Sequence, residues 1–408
     1  MQRCVWHANQ WWMVVLVLIA APLLKVNAEP ASSRPTVDFE GLSRQAAPSV
    51  DRGLRFLAGA QAEDGGWRGG PFGSDPAITA IVAKAFIQAP AYGRKHLIVQ
   101  RAVRFVIRHQ QDDGGIYSPQ IGYANYSTSI AVMTLAALED PAVEQVIAGA
   151  QRYLKSNQWD ESKDDPEGRD VDPGHAWYGG AGYGAKKTRP DLSNTQMMLE
   201  ALHDSGLPPS DPVYKKALRF ITRCQMLSET NDQPFARGAT DGGFIYSPAN
   251  GGESKAGTVT VERNTLLRSY GSMSYAGFKS LLYAAVDRQD PRVQAAWGWI
   301  RRHYTLESNP NMPEKQSAEG LFYYYHVFAR ALRAWGEPSI VDEQGVAHDW
   351  RGELIARLAE LQSEDGSWVN SADRWMEGNP YLVTAYALLA LQEAIARDLP
   401  ATRPVTQR

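Results

Sequence analysis

The sequence predicts an all-α fold, an α6/α6 toroid in which six helical hairpins set an inner ring of second helices inside an outer ring of first helices. Three observations predict it. A short unit recurs six times, proline marks the start of several helices, and the two helices of each unit differ in composition.

The unit is legible first at 53–67, GLRFLAGAQAEDGGW, where an apolar stripe (Leu54, Phe56, Leu57) leads to Gln61, an acidic Gly-Gly turn and Trp67. It returns as RFVIRHQQDDGGI at 104–116, RYLKSNQW at 152–159, RFITRCQ at 219–225, WIRRHY at 299–304 and IARLAELQSEDGSW at 355–368. The anchors are Gln61, Gln110, Gln158, Gln225, Tyr304 (in place of glutamine) and Gln362. They stand about 50 to 80 residues apart, a period that marks a repeat architecture.

The first helix of each pair ends at its anchor, over 43–61, 94–110, 141–158, 212–225, 290–304 and 349–362. The second follows the glycine turn, over 76–89, 126–138, 193–205, 272–286, 319–335 and 380–395. Asp75-Pro76, Asp140-Pro141, Asp211-Pro212, Asp290-Pro291 and Asn379-Pro380 each place a capping side chain before a proline at the first helical position. Ser193 to Gln196 reads as a capping box. First helices are charged on one face (Arg101, Arg104, Arg108; Lys215, Lys216, Arg219, Arg223). Second helices are apolar around much of their circumference (78–86, 130–138, 381–391), which buries them. No strand ladder is expected.

The N-terminus reads as a secretory signal over 1–28. Arg3 precedes the apolar run 11–24, and Val26-Asn27-Ala28 forms a small-residue cleavage site. An exported location follows, with no membrane span once the signal is cleaved. Its loss removes Arg3, Lys25 and no acid, so 42 basic residues fall to 40 against 45 acidic, a net −5. That balance gives no reason to expect nucleic acid or an anionic membrane surface as a partner, and no nucleic-acid partner is expected. Cys4 leaves too, so Cys224 has no intrachain disulfide partner and reads as a small core residue. Residues 29–42 read as a linker, 43–397 as the toroid and 398–408 as a tail.

Arg52-Gly53-x-x-Phe56-Leu57-x-x-x-Gln61 followed by Gly66-Trp67 resembles the QW repeats of the terpenoid cyclase and protein prenyltransferase superfamily, also called prenyltransferase/squalene oxidase repeats. The resemblance covers 43–395 and implies the toroid. It leaves the chemistry open, because the repeat supports the fold. The prenyltransferases' zinc site uses an Asp-x-Cys pair; here Gly242-Gly243-Phe244 is followed by a helix opening Ser272-Met273-Ser274-Tyr275, and no Asp-x-Cys occurs. The cyclases' Asp-x-Asp-Asp acid has its nearest counterpart in Asp170-Val171-Asp172-Pro173, which lacks the last acid. No metal or other cofactor is expected. Gln61 and Trp67 are expected to hold a turn, the amide serving carbonyls at the helix end and the ring covering it.

In a toroid the starts of the inner helices converge on one mouth, with their N–H groups and dipoles. The candidate ligand-binding residues there are Asp75, Tyr126, Asn194, Ser272, Tyr275, Tyr323, His326 and Tyr381. Tyr178 and Tyr183 join them from the glycine-aromatic loop 175–184, HAWYGGAGYG, and Phe244 from the turn before the long insertion 241–270. Asp75, Ser193 and Asn379 also read simply as N-caps. Asp191 is the candidate catalytic acid, because Ser193 is expected to supply the cap beside it. The acidic stretch 160–172 reads as a solvated loop or an oxygen site for Ca²⁺.

Three functions fit. The first is a terpenoid-cyclase- or prenyltransferase-like toroid acting on an isoprenoid or other apolar small molecule, with aromatic walls stabilising a carbocation. The second is a non-catalytic toroid holding a peptide, glycan or partner protein in its mouth. The third is a carbohydrate-active barrel, which needs two opposed carboxylates among Asp75, Asp191 and Glu319.

Overall fold

A computed structural model describes residues 37–184, 188–261 and 264–397. The signal-like segment 1–28, positions 29–36 of the expected linker and the tail 398–408 lie outside the described residues. The described chain holds twelve α-helices in six hairpins. The outer helices are α1 (Phe39–Gly59), α3 (Leu97–Ile107), α5 (Glu144–Asn157), α7 (Pro212–Cys224), α9 (Pro291–Arg302) and α11 (Trp350–Glu360). The inner helices are α2 (Pro76–Ile87), α4 (Ala124–Ala136), α6 (Leu192–Asp204), α8 (Gly271–Tyr283), α10 (Leu321–Trp335) and α12 (Pro380–Ile395). Each inner helix packs on the next, and α12 packs on α2, so the inner ring is closed. The fold is an α/α toroid.

Helix starts follow the local chemistry. Asp75, Asp211, Asp290 and Asn379 accept N–H groups of the first turns of α2, α7, α9 and α12, each with proline next in line. Asp140-Pro141 instead opens a 3-10 turn that leads into α5. Helix α1 starts at Phe39, inside the expected linker, because Asp38 caps it through Gly41 N–H at 2.8 Å. The expected capping box at Ser193 does not form. Asp191 is the N-cap of α6, taking Asn194 N–H at 2.8 Å, which frees Ser193 to meet Tyr323.

The repeated glutamine is a joint between units. Gln61 donates to the carbonyl of Gly65 in its own turn (3.0 Å) and of Ile98 in α3 (2.9 Å). Gln158 does the same toward Val213 of α7, Gln225 toward Arg292 of α9, and Gln110 reaches Val146 of α5. Where tyrosine replaces glutamine, the Tyr304 hydroxyl reaches Glu353 of α11 at 2.7 Å. Gln362 closes the circle by donating to Ser49 O of α1 at 3.0 Å. The indole, not the amide, serves the helix end: Trp67 Nε1 donates to Leu57 O and Trp368 Nε1 to Leu358 O, both at 2.8 Å. Gln61 thus holds its turn as expected, but the carbonyl at the helix end is served by Trp67.

The glycine turns press on the same joints. Gly179 (φ +84°) lies so close to α7 that an added Cβ would fall 1.8 Å from the Lys216 carbonyl oxygen, so glycine is required by both conformation and space. A hydroxyl one turn into the inner helix fixes the aromatic that follows: Thr79 accepts from Trp67 N–H, Ser274 from Phe244 N–H and Thr384 from Trp368 N–H, each at 3.0 Å.

Three small antiparallel hairpins were not expected. They are β1 (Arg68–Gly70) with β2 (Gly73–Ser74), β3 (Thr258–Val261) with β4 (Asn264–Leu267), and β5 (Ile340–Val341) with β6 (Ala347–His348). They lie in the connections outside the double ring of helices. Among the described residues no helix is long and apolar enough to cross a membrane. Cys224 is fully buried at the end of α7.

The C-terminal halves of the inner helices carry a buried ionic network. Lys279 of α8 pairs with Glu200 of α6, both fully buried. Arg330 of α10 reaches Glu200 (2.8 Å), Asp204 (2.7 Å) and Glu393 of α12 (2.8 Å), while Arg333 adds a second bond to Glu393 (2.6 Å). Burial opposes ionisation here, yet Lys279 and Arg330 hold the Glu200 carboxyl down to about 2. This network occupies the pole opposite the inner-helix starts.

Candidate active site

At the other pole the starts of all six inner helices border one cavity of about 180 Å³. Its wall is aromatic. Tyr126 of α4, Tyr323 of α10 and Tyr386 of α12 stand on the inner helices, with Tyr270 just before α8. Tyr123, Tyr183, Tyr246 and Trp375 come from the connecting loops. The inner-helix hydroxyls are hydrogen-bonded: Tyr126 with Tyr386 at 2.7 Å, and Tyr323 with Ser193 at 3.0 Å while accepting from Gln196 Nε2 at 2.9 Å. Burial, reinforced by the neighbouring Tyr386 phenol, pushes the Tyr126 hydroxyl well above its ordinary range, so the ring that borders the cavity stays neutral.

Two carboxyls border this space. Asp75 takes the N–H groups of Ala77 (2.7 Å) and Ile78 (3.1 Å) on one oxygen as the α2 cap, and burial raises it above the usual carboxylate range. Glu377 is 1% exposed. Its Oε1 accepts Tyr323 N–H at 2.8 Å and its Oε2 accepts Asn370 Nδ2 at 2.5 Å. Burial outweighs these bonds and pushes Glu377 up to about 7, so near neutrality a large fraction keeps its proton.

Of the residues expected at the site, Asp75, Tyr126, Tyr183, Ser272 and Tyr323 border the cavity. The others do not. Tyr178 packs with Trp159 and Trp177 and donates to Glu161 at 2.7 Å, because the glycine-aromatic loop folds back on the acidic one. Phe244 is held under Gly277 as the aromatic of its turn, and Tyr275 packs on Tyr324 and Phe328 in the core. His326 stacks on the far side of Tyr386, and its burial drives it down to about 3, neutral. Tyr381 leans outward on Phe56. Asn194 donates to Asp191 at 2.9 Å, and Asp191 is a buried cap behind Tyr246, pushed up to about 6 by burial.

The acidic stretch is folded around Asp165. That side chain accepts from Glu167 N–H, Arg169 N–H and Arg169 Nε, with His175 Nε2 at 3.2 Å. Among the described residues, no three His, Cys, Asp or Glu side chains gather as a metal ion would require. Sequence reasoning missed Glu377 and the wall aromatics Tyr123, Tyr246, Tyr270, Trp375 and Tyr386. Glu377 precedes Gly378-Asn379-Pro380, so looking just upstream of the proline caps, rather than only at helix starts, would have found it.

This double ring of helices has counterparts among solved structures. The fold is the α/α toroid that type II terpene cyclases and a GH76 mannanase share. MstE from Scytonema, in a variant bound to its product merosterolic acid A, aligns at TM-score 0.55 with 14% identity, over 87% of this chain and 99% of that one. A GH76A α-1,6-mannanase from Salegentibacter sp. HEL1_6 aligns at 0.52 with 8% identity, over 86% and 99%. A protein from Actinoplanes aligns at 0.50 with 18% identity, over 86% and 100%. At these identities the likeness concerns the fold. No protein-family model matches the chain, and no curated protein does.

Proposed function

We propose that the toroid binds an apolar, unsaturated molecule of isoprenoid type in the tyrosine-walled cavity and that Glu377 protonates it. The observation that carries this reading is a buried carboxyl, raised to about 7, on the wall of a cavity built largely from neutral phenol rings. A carboxyl that keeps its proton near neutrality is a general acid at working pH. The proton passes from Glu377 to an alkene carbon, and the cation so formed lies among π-faces worth about 2 kcal/mol each when desolvated. Loss of a proton or addition of water ends the reaction. Proton-initiated chemistry begins at a carbon–carbon double bond and asks nothing of a diphosphate, so it suits an exported protein. Isoprenoids are also what MstE is seen to bind, geranylgeranyl dihydroxybenzoate among them.

Asp191, expected as the acid, gives up that role here because Tyr246 stands between it and the cavity. The carbohydrate reading would need Asp75 and Glu377, the two carboxyls on the cavity wall, to act as an opposed pair. The test is turnover of prenyl alcohols and prenylated phenols by wild type and Glu377→Gln, followed by mass spectrometry. Conversion by wild type alone supports the reading. Binding without conversion by either protein makes the toroid a carrier.

A further inference from the structure

Glu377 follows a strained turn. Trp375 (φ 60°) and Met376 (φ 67°) are consecutive non-glycine residues in the left-handed region, and Tyr123 (φ 53°) at the start of α4 is another. Seven non-glycine residues adopt this conformation among those described, and these three all border the cavity. Each such residue costs on the order of 1 kcal/mol or more, and the cost persists where surroundings impose it. Core packing does not account for them, since Tyr123, Trp375 and Met376 are 50%, 41% and 39% exposed. The Trp375 ring is fixed from two sides. It lies over Gly320, where an added Cβ would fall 3.1 Å away, and Arg374 covers it at 4.6 Å while bonded to Glu319 at 2.6 Å. A large apolar ring is thus held rigidly in water at the mouth.

The enclosed space is small by comparison with this rim. An engineered cavity of about 150 Å³ holds benzene, so 180 Å³ takes about one or two five-carbon units. We infer that the ligand enters by one end only: its reactive terminal units sit inside against Glu377, and the rest of the chain lies outside, across Tyr123, Trp375 and Met376. The ligand class is a long prenyl chain, free or attached to a larger body that never enters. This rests on the proposed function, and it makes the strained rim the element that reads chain length.

The test is calorimetric titration of two-, three- and four-unit all-trans prenyl alcohols against wild type and the double variant Trp375→Gly, Met376→Gly. Glycine suits the positive φ, so the variant keeps the backbone and should melt no lower than wild type. Wild type is expected to gain about tenfold in affinity per added unit from apolar contact on the rim. The variant should gain less than about threefold from two units to four, whatever its affinity for the two-unit alcohol. A wild type that gains nothing beyond two units, or a variant weakened equally for all three alcohols, overturns the rim assignment while leaving the isoprenoid reading standing. Failure of every alcohol to bind wild type overturns both.

Discussion

Glu377 Oε1 accepts the backbone N–H of Tyr323 at 2.8 Å, across 54 positions of sequence. Helix α10 begins at Gly320 with no capping side chain of its own, so it takes its cap from the turn that precedes α12. The same carboxyl therefore satisfies a helix start and borders the cavity, which ties the acid's position to the packing of two inner helices.

Glu377→Gln should lower turnover by about 10²- to 10⁴-fold, the usual worth of a general acid, while leaving the fold intact. Its stability should also respond differently to pH. Burial favours the protonated form in the folded chain, raising Glu377 from 4.5 to about 7. The stabilisation is complete below 4.5 and lost as pH rises through 7. Urea titrations at pH 4 and pH 8 should show wild type losing about 3 kcal/mol more than the glutamine variant over that range.

Asp191 should behave as a cap. Asp191→Ala is expected to cost about 1 to 2 kcal/mol, through the orphaned Asn194 N–H, and Asp191→Asn less, since asparagine also caps. Denaturant melts measure this, and turnover of Asp191→Asn should stay within a few-fold of wild type. Loss of turnover in a folded Asp191→Asn protein would transfer the acid role from Glu377 to Asp191.

What could be read in advance was whatever the chain declares locally. The period of the anchors, the Asp-Pro and Asn-Pro starts and the apolar second helices were enough for twelve helices in two rings, because each signal acts within one turn of the residue that carries it. Asp191 and Ser193 show the limit of that reading: two adjacent candidates for one cap, decided by Ser193's partner Tyr323 on another inner helix. Glu377 stood out only by its place upstream of Asn379-Pro380, because the N–H it serves belongs to another unit. Trp375 and Met376 were hidden because nothing in their side chains asks for positive φ; the surrounding fold imposes it.

Gln225→Ala should destabilise the ring by about 2 to 4 kcal/mol. It removes two buried hydrogen bonds, to Gly242 O at 2.9 Å and Arg292 O at 2.8 Å, and leaves both carbonyls without that donor. Thermal melts of this variant beside Gly179→Ala should rank the glycine change as worse, because the added Cβ has backbone in its way.

Lys279→Met should cost about 3 to 5 kcal/mol by leaving Glu200 short of a partner at a fully buried site. Adding Glu200→Leu should recover part of that loss. A double-mutant cycle from denaturation at neutral pH measures the coupling between the two.

Five of the six inter-unit joints connect neighbours along the chain; the sixth, Gln362 to Ser49, spans 313 positions. The molecule is thus a split washer rather than a seamless ring, and its one cut runs between α12 and α2. Bringing those faces together closes the longest loop in the fold, at the largest loop-closure entropy. Leu382 and Tyr386 flank the seam on one side and Asp75 to Ile78 on the other, and all of them border the cavity. The longest closure in the chain is therefore also what completes the cavity wall: where the two ends of the toroid meet, the chamber gains its last side.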